Sequence, residues 1–241
     1  MKFFYLCIIL FSLFISCDYP SEVASQSAIR ERTAVIIDTV PINKGNLYDA
    51  AGQVHHQLLT EYYQSSSLPF TLNGIITSAE GIANVTPSFM DLTKEMPYSF
   101  VHADRVATII SAPPGLEEEI VNASLVSSEA RSSFTAFFYT LLQRCETEQE
   151  FGVLYDFIVS YEDAVQLSSS LPDVDKKTIL ITTSIARHTV YARKKKPKKD
   201  KDPEWQYMVG NIIAALDGAD DSMADAVMKG LVTGIAENRS F

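Results

Sequence analysis

Cysteine is scarce in this 241-residue chain, which contains only Cys7, Cys17 and Cys145. Cys7 lies inside an apolar N-terminal run and Cys17 closes that run, so Cys145 is the one cysteine in the remainder. A single thiol cannot form an intramolecular disulfide or supply a Cys-rich metal site. Cys145 also ends an apolar helical pattern, which indicates a small buried hydrophobic residue rather than a nucleophile.

Common catalytic and nucleotide-binding motifs are also missing. The sequence has no P-loop, GxGxxG, HExxH, GxSxG or SxxK pattern. This absence disfavours the phosphate-binding, dinucleotide-binding, zincin and serine-hydrolase classes.

Positive charge is low in proportion to negative charge, with 20 Lys and Arg residues against 30 Asp and Glu residues. Without Lys2, which belongs to the N-terminal run, the balance is 19 against 30, or −11. This excess of negative charge disfavours general binding of nucleic acid. No second stretch approaches the roughly 20 apolar residues of a spanning helix.

The N-terminus has the layout of a secretory signal. Lys2 supplies a positive start, Phe3 to Ile15 are almost all apolar, and small Ser16 precedes Cys17. Ser16 and Cys17 resemble the lipobox of bacterial lipoproteins, in which the cysteine is acylated and becomes the first mature residue. Phe14 stands where leucine is usual, as in relaxed lipoboxes of the Bacteroidota. The resemblance implies a signal peptide over 1–16 and lipidation of Cys17, by palmitate for example; an ordinary cleaved signal is the alternative.

The region after Cys17 predicts a link between lipid and body. Residues 18–32 are polar and lack apolar periodicity, which is typical of a flexible tether. Thr33–Val40 is β-branched and could form a short strand or an extended segment laid on helices. We therefore predict a lipidated, extended tether over 17–45 and a single helical domain over 46–241.

The first strong helix pattern covers Asn46 to Tyr63. One face carries apolar or small residues at steps of three and four, namely Tyr48, Gly52, His55, Leu59 and Tyr62. Asn46 is placed to cap this helix with its side chain, and Asp49 lies in the first turn. Gly52 costs about 1 kcal/mol relative to alanine in mid-helix, so it predicts close approach of another helix.

Two segments are similar to a group of uncharacterised Bacteroidota lipoproteins. Residues 46–55 resemble the pattern Asn-Pro-Tyr-Asp-x-x-Gly-x-x-His-Asn, with Leu47 in place of proline and His56 in place of asparagine. Residues 175–187 resemble a second part of the same group. The family implies a lipid-anchored envelope protein and no established activity.

The remaining patterns are helical and are separated by residues that typically start or end helices. Pro87 and Pro113-Pro114 are typical of helix starts, and Thr147-x-x-Glu150 has the form of a capping box. Residues 178–183 have strand composition, but the apolar face around them favours a helix. Small residues recur at four-residue steps, which predicts a closely packed helical hairpin: Gly210, Ala214, Gly218, and then Ala226, Gly230, Gly234. The predicted fold is all-α, a bundle or orthogonal array of about eight or nine helices.

Candidate binding residues come from the few histidines and their acidic neighbours, namely Asp49, His55, His56 and His102, with Asp104 and His188 as possible additions. Imidazole and carboxylate are suitable zinc or iron ligands. However, adjacent His55 and His56 point about 100° apart on a helix, which disfavours a shared ion. A core His55 that donates a hydrogen bond to Asp49 or to a facing carbonyl is the favoured interpretation. We assign no catalytic residue, metal or cofactor.

A basic cluster interrupts the acidic body between Arg193 and Lys201. Pro197, Asp202 and Pro203 indicate that it is a loop. It is either a solvated loop or a contact to anionic headgroups or glycolipid phosphates, where each basic residue contributes about 1 kcal/mol. The candidate contact residues are Arg193, Lys194, Lys195, Lys196, Lys198 and Lys199.

Together these features favour a non-enzymatic binding or scaffolding lipoprotein of the cell envelope. It would be attached to the outer membrane through its N-terminal lipid, on the periplasmic or surface face, and would engage an envelope protein or a glycolipid. The alternative is an envelope hydrolase or metal-dependent enzyme that uses His55 or His56 with Asp49 and His102.

Overall fold

The structure, a computed structural model, describes residues 41–94, 96–148, 150–195 and 206–238. Ten helices and no strand occur in this part of the chain, which confirms the all-α prediction and adds one or two helices to the expected number. The helices are α1 (Asp49–Gln64), α2 (Leu72–Ala83), α3 (Pro87–Leu92), α4 (Ala103–Ser111), α5 (Leu116–Ser124), α6 (Ser128–Thr147), α7 (Phe151–Leu167), α8 (Asp173–Lys195), α9 (Gln206–Ala219) and α10 (Met223–Glu237). The predicted signal peptide, Cys17, most of the predicted tether and the possible strand at 33–40 lie outside the described residues.

Helices α9 and α10 form the closely packed hairpin that the small residues predicted. A Cβ atom added to Gly218 would lie 2.6 Å from the main-chain oxygen of Asp225, and one added to Gly234 would lie 2.5 Å from Asn211 Nδ2. The backbones of α9 and α10 therefore approach closely at Gly218, and Gly234 leaves room for the side chain of Asn211. Twelve of the 15 residues of α10 are buried, which makes it the central helix of the domain.

Helix α9 lies between two hydrophobic clusters. Ile212, Ile213 and Leu216 pack into a cluster formed largely by α5, α6, α7 and α8. Ala215 and Ala219, on another face of α9, pack into a second cluster with α1, α2 and α10. One helix thus serves both halves of the core.

Helices α1 and α8 meet at Gly52. A Cβ atom there would lie 2.4 Å from the main-chain oxygen of Ser184, which confirms the predicted close approach. The ambiguous residues 178–183 are helical and buried in the middle of α8. Hydroxyl groups on this helix are satisfied by main-chain carbonyls, as where Thr182 Oγ1 donates to Thr178 O at 2.8 Å.

Two predicted helix caps are wrong. Helix α1 begins at Asp49 with Tyr48 at its N-cap position, so Asn46 lies too early in the chain to cap it. Asn46 Oδ1 accepts from Tyr48 N at 2.8 Å, and Nδ2 donates to Glu162 and to the main-chain oxygen of Leu180. Thr147 is still the last residue of α6, so it cannot cap α7, which begins at Phe151. Pro41, the first described residue, is buried, and it lies five residues before the predicted start of the helical domain. None of the helices in the described ranges is long and apolar enough to cross a membrane.

Candidate functional site

Arg187 of α8 is a fully buried cation at the junction of three elements. Its guanidinium forms ion pairs with Asp49 of α1 and with Glu162 of α7, the latter at 3.4 Å, and it donates to the main-chain oxygen of Pro41. Asp49 and Glu162 are 6% and 1% exposed, so all three charges are withdrawn from water. Charges are tolerated in such a place only when they are paired and hydrogen-bonded. We call these three residues the Arg187 cluster.

Two asparagine amides complete the Arg187 cluster. Asn43 Nδ2 donates to Glu162 Oε2 at 2.6 Å, and Asn46 Nδ2 donates to Glu162 Oε1 at 3.1 Å and to the main-chain oxygen of Leu180 at 2.9 Å. These donors are needed because one guanidinium faces two carboxylates. The cluster therefore fixes residues 41–49, where the chain enters the domain, to α7 and α8.

A second set of buried polar groups lies between α1, α8, α9 and α10. We call it the polar seam, and it consists of His55, His188, Asn211 and Glu237. Asn211 Nδ2 lies 3.5 Å from His55 Nε2 and packs against Gly234, while the Glu237 carboxylate accepts from the main-chain N–H groups of Gly210 and Asn211. His188 contacts Gly52 and the ring of His56, whose centroid is 5.9 Å away.

Burial removes charge from the polar seam at neutral pH. It lowers the pKa of His55 to about 3 and that of His188 to about 2, so both rings are neutral. It raises the pKa of Glu237 to about 8, despite two main-chain donors and the nearby charge of Arg193 that act in the opposite direction. At pH 7 the seam is thus polar but almost uncharged.

Several polar atoms of the seam have no hydrogen-bond partner among the described residues. They are Nδ1 of His55, both ring nitrogens of His188, Oδ1 of Asn211 and Oε2 of Glu237. Each such atom costs about 1–3 kcal/mol relative to a satisfied one. The seam is therefore an energetically costly part of the core.

The structure brings only part of the predicted binding set together, since His55, His56 and His188 are neighbours on α1 and α8. Asp49 is engaged by Arg187. His55 is buried in the core as predicted, but its Nε2 lies 3.5 Å from Asn211 Nδ2, and it donates neither to Asp49 nor to a facing carbonyl among the described residues. His56 contacts the rings of His188 and Tyr191. His102 is exposed and directly precedes α4. Across the described ranges, no group of three or more His, Cys, Asp or Glu side chains could hold a metal ion.

No family model, curated protein or solved structure matches this chain. Its function must therefore be inferred from its own side chains. The Arg187 cluster could not be predicted from the sequence, because Asp49, Glu162 and Arg187 are separated in the chain and no local pattern connects them. Part of the polar seam follows from the sequence, because the helical spacing places His55 on the buried face of α1 together with Gly52.

The basic cluster begins inside a helix, which corrects part of the predicted loop. Arg193, Lys194 and Lys195 form the end of α8. Lys194 Nζ donates to the main-chain oxygen of Glu148 at 2.6 Å, so one of its donors already serves the fold. Residues 196–205, with Lys196, Lys198 and Lys199, lie outside the described residues.

Cys145 lies near the end of α6, partly buried against the hydrophobic core, and is a free thiol. Burial raises the pKa of this thiol to about 11. The thiolate, which is the nucleophilic form, is therefore rare at neutral pH. This environment agrees with the predicted packing role.

Proposed function

We propose that this protein is a lipid-anchored binding or scaffolding component of the cell envelope, attached to a membrane through acylated Cys17. The observation that carries the proposal is the Arg187 cluster. It binds residues 41–49 to α7 and α8, so that the segment leading from the anchor is joined to the core by buried ion pairs. A body tethered in this way can be held at a membrane surface without loosening its first helix.

The arrangement of the titratable residues favours binding over catalysis. A general base must reach the substrate proton within hydrogen-bonding distance and have a pKa near the working pH. His55 and His188 are buried with strongly lowered pKa values, and Asp49 is committed to Arg187. The alternative enzyme, built from Asp49, His55, His56 and His102, thus has no assembled site to support it.

Membrane attachment would combine two terms. An acyl chain contributes about 0.8 kcal/mol for each buried CH₂ group, and more than one chain gives lasting attachment. The basic cluster would add about 1 kcal/mol for each residue that contacts an anionic headgroup or glycolipid phosphate. Arg193, Lys194, Lys195, Lys196, Lys198 and Lys199 are the residues proposed for this contact.

Acyl labelling of two variants, each with one cysteine replaced by alanine, tests the anchor. Cells expressing the full chain are fed an alkyne fatty acid, and the purified protein is examined for label. We expect label and membrane fractionation to be lost in Cys17→Ala and kept in Cys145→Ala, the matched control. Label that survives in Cys17→Ala would refute the anchor.

Protease treatment of intact cells then decides the face of the membrane. Cleavage of labelled protein by external protease would place the domain on the cell surface. Protection of labelled protein would place it in the periplasm. Either result keeps the proposal, whereas labelled protein recovered from the cytoplasmic fraction would contradict it.

A further inference from the structure

A cleft of about 370 Å³ opens between the turn that joins α4 to α5 and the first half of α9. Ile109, Val209 and Ile213 form an apolar floor, and the ring of Tyr139 from α6 stands at one side. Its volume lies in the usual range for small-molecule sites, which are apolar with a few placed polar groups.

The rim of the cleft is conformationally restricted. Ala112 and Gly115 both have positive φ values, of 42° and 86°, and Pro113 and Pro114 lie between them. Proline fixes φ, and the left-handed conformation of Ala112 is uncommon for a residue with a side chain. A restricted rim loses little entropy when a ligand binds.

The charge at the rim is negative. Among the described residues, Glu117 and Glu118 are the charged side chains that line the cleft, and neither forms an ion pair with another described residue. The N-terminus of α5 offsets about half a charge, so the two carboxylates remain in excess. The nearby cation Arg105 is committed elsewhere, to Asp217 at 2.6 Å and to Glu119 at 3.7 Å.

Tyr139 adds a neutral donor to this rim. Its hydroxyl donates to Glu117 Oε2 at 2.8 Å, and this hydrogen bond raises the pKa of the phenol. The tyrosine therefore stays protonated and holds one carboxylate beside the apolar floor. An acidic edge, an aromatic wall and an apolar base together suit a cation with a hydrocarbon tail.

We propose that this cleft binds a primary ammonium group carried on an apolar stem, as in an alkyl diamine or a lysine side chain. The stem would lie on Ile109, Val209 and Ile213, and the ammonium would meet Glu117 and Glu118. This proposal rests on the binding role proposed above, but it does not require the acyl anchor.

Calorimetry with 1,5-diaminopentane tests the charge requirement, with the full chain in detergent at pH 7 and 1,5-pentanediol as the uncharged control. We expect binding of the diamine and none of the diol. The double variant Glu117→Gln, Glu118→Gln should lose at least tenfold in affinity. The variant Glu119→Gln should bind as the wild type does, because Glu119 lies in the same turn but outside the cleft. Thermal melts of both variants check that the fold is intact.

Two further ligands test the stem and the source of the ammonium. Butylammonium should bind at least tenfold more tightly than methylammonium, because three more methylene groups are buried. Binding of the peptide acetyl-Gly-Lys-Gly-amide in competition with the diamine would indicate a protein partner, whereas binding of the diamine alone would indicate a free amine.

The proposal is overturned if no ammonium binds, if the diol binds as well as the diamine, or if Glu119→Gln weakens binding as much as the double variant. Because none of these measurements depends on Cys17, their failure would leave the anchor intact, and the failure of acyl labelling would leave the cleft intact.

Discussion

Lowering the pH from 7 to 5 should destabilise the protein through the two histidines of the polar seam. In the unfolded chain each has a pKa near 6.5, whereas in the folded protein burial holds the pKa of His55 at about 3 and that of His188 at about 2. Below pH 6.5 the unfolded state therefore binds protons that the folded state does not. Stability is full above pH 6.5 and falls as the pH drops toward the folded values.

The size of this effect follows from the unfolded pKa alone, provided that the folded values lie well below 5. Proton binding to the unfolded chain between pH 7 and pH 5 costs about 2 kcal/mol for each histidine, or about 4 kcal/mol for the pair. Glu237 acts in the opposite sense, because burial raises its pKa from 4.5 to about 8 and the folded state binds its proton first. Over the same interval it adds about 2.5 kcal/mol of stability. The wild type should thus lose only about 1 kcal/mol through these three groups.

Urea unfolding at pH 7, 6 and 5, followed by circular dichroism, separates these terms. His188→Gln should remove about 2 kcal/mol of the unfolding free energy that is lost between pH 7 and pH 5. Glu237→Gln should increase that loss by a similar amount. His102→Gln is the matched control, because its ring is exposed. All other titrating groups cancel when variants are compared. If His188→Gln keeps the full pH dependence of the wild type, the folded protein accepts a proton at this position and the seam is open to water.

Three further predictions concern packing and charge. Arg187→Met should lower the free energy of unfolding by about 3–5 kcal/mol, since it leaves two buried carboxylates without their cation, and urea unfolding measures this. Gly52→Ala should cost about 3 kcal/mol because the new methyl group meets Ser184, whereas Gly81→Ala, with open space around its Cβ, should stabilise by up to about 1 kcal/mol. Replacing residues 194–196 by glutamine should reduce cosedimentation with anionic vesicles, as should added salt.

Each of these has an outcome that contradicts it. Unchanged stability of Arg187→Met would mean that the ion pairs are not formed in solution. Equal effects of the two glycine substitutions would show that α1 and α8 do not touch at Gly52. Vesicle binding that is insensitive to both the glutamine changes and salt would remove the basic cluster from the proposed membrane contact.

The sequence predicted those parts of the fold that depend on local periodicity. Gly52 was placed on a buried face by steps of three and four, and its cost in mid-helix pointed to a close neighbour, which proved to be Ser184. The small residues of α9 and α10 predicted their packing for the same reason. In both cases the position would be unfavourable in isolation, so the sequence itself indicated a tertiary contact.

The parts that were missed depend on long-range partners. Asn46 has the residue type of a helix cap, but its side-chain amide donates hydrogen bonds to Glu162 and to the main-chain oxygen of Leu180. These partners lie 116 and 134 residues away in the chain. Arg187 and Glu162 each have neighbours that are typical of an exposed helix position as well as a buried one. The cleft could not be predicted either, since Glu117 lies in a first helical turn in the sequence and gains its floor only when α9 packs behind it.

The span of the Arg187 cluster also has a consequence for the order of folding. Arg187 lies 138 residues after Asp49, so the first helix cannot be secured until α8 has been made. Contacts of such separation close late and slow the folding of a domain. Residues 41–49 therefore cannot form their buried ion pairs until most of the chain has been synthesised, so the segment that enters the domain first is among the last to be fixed in place.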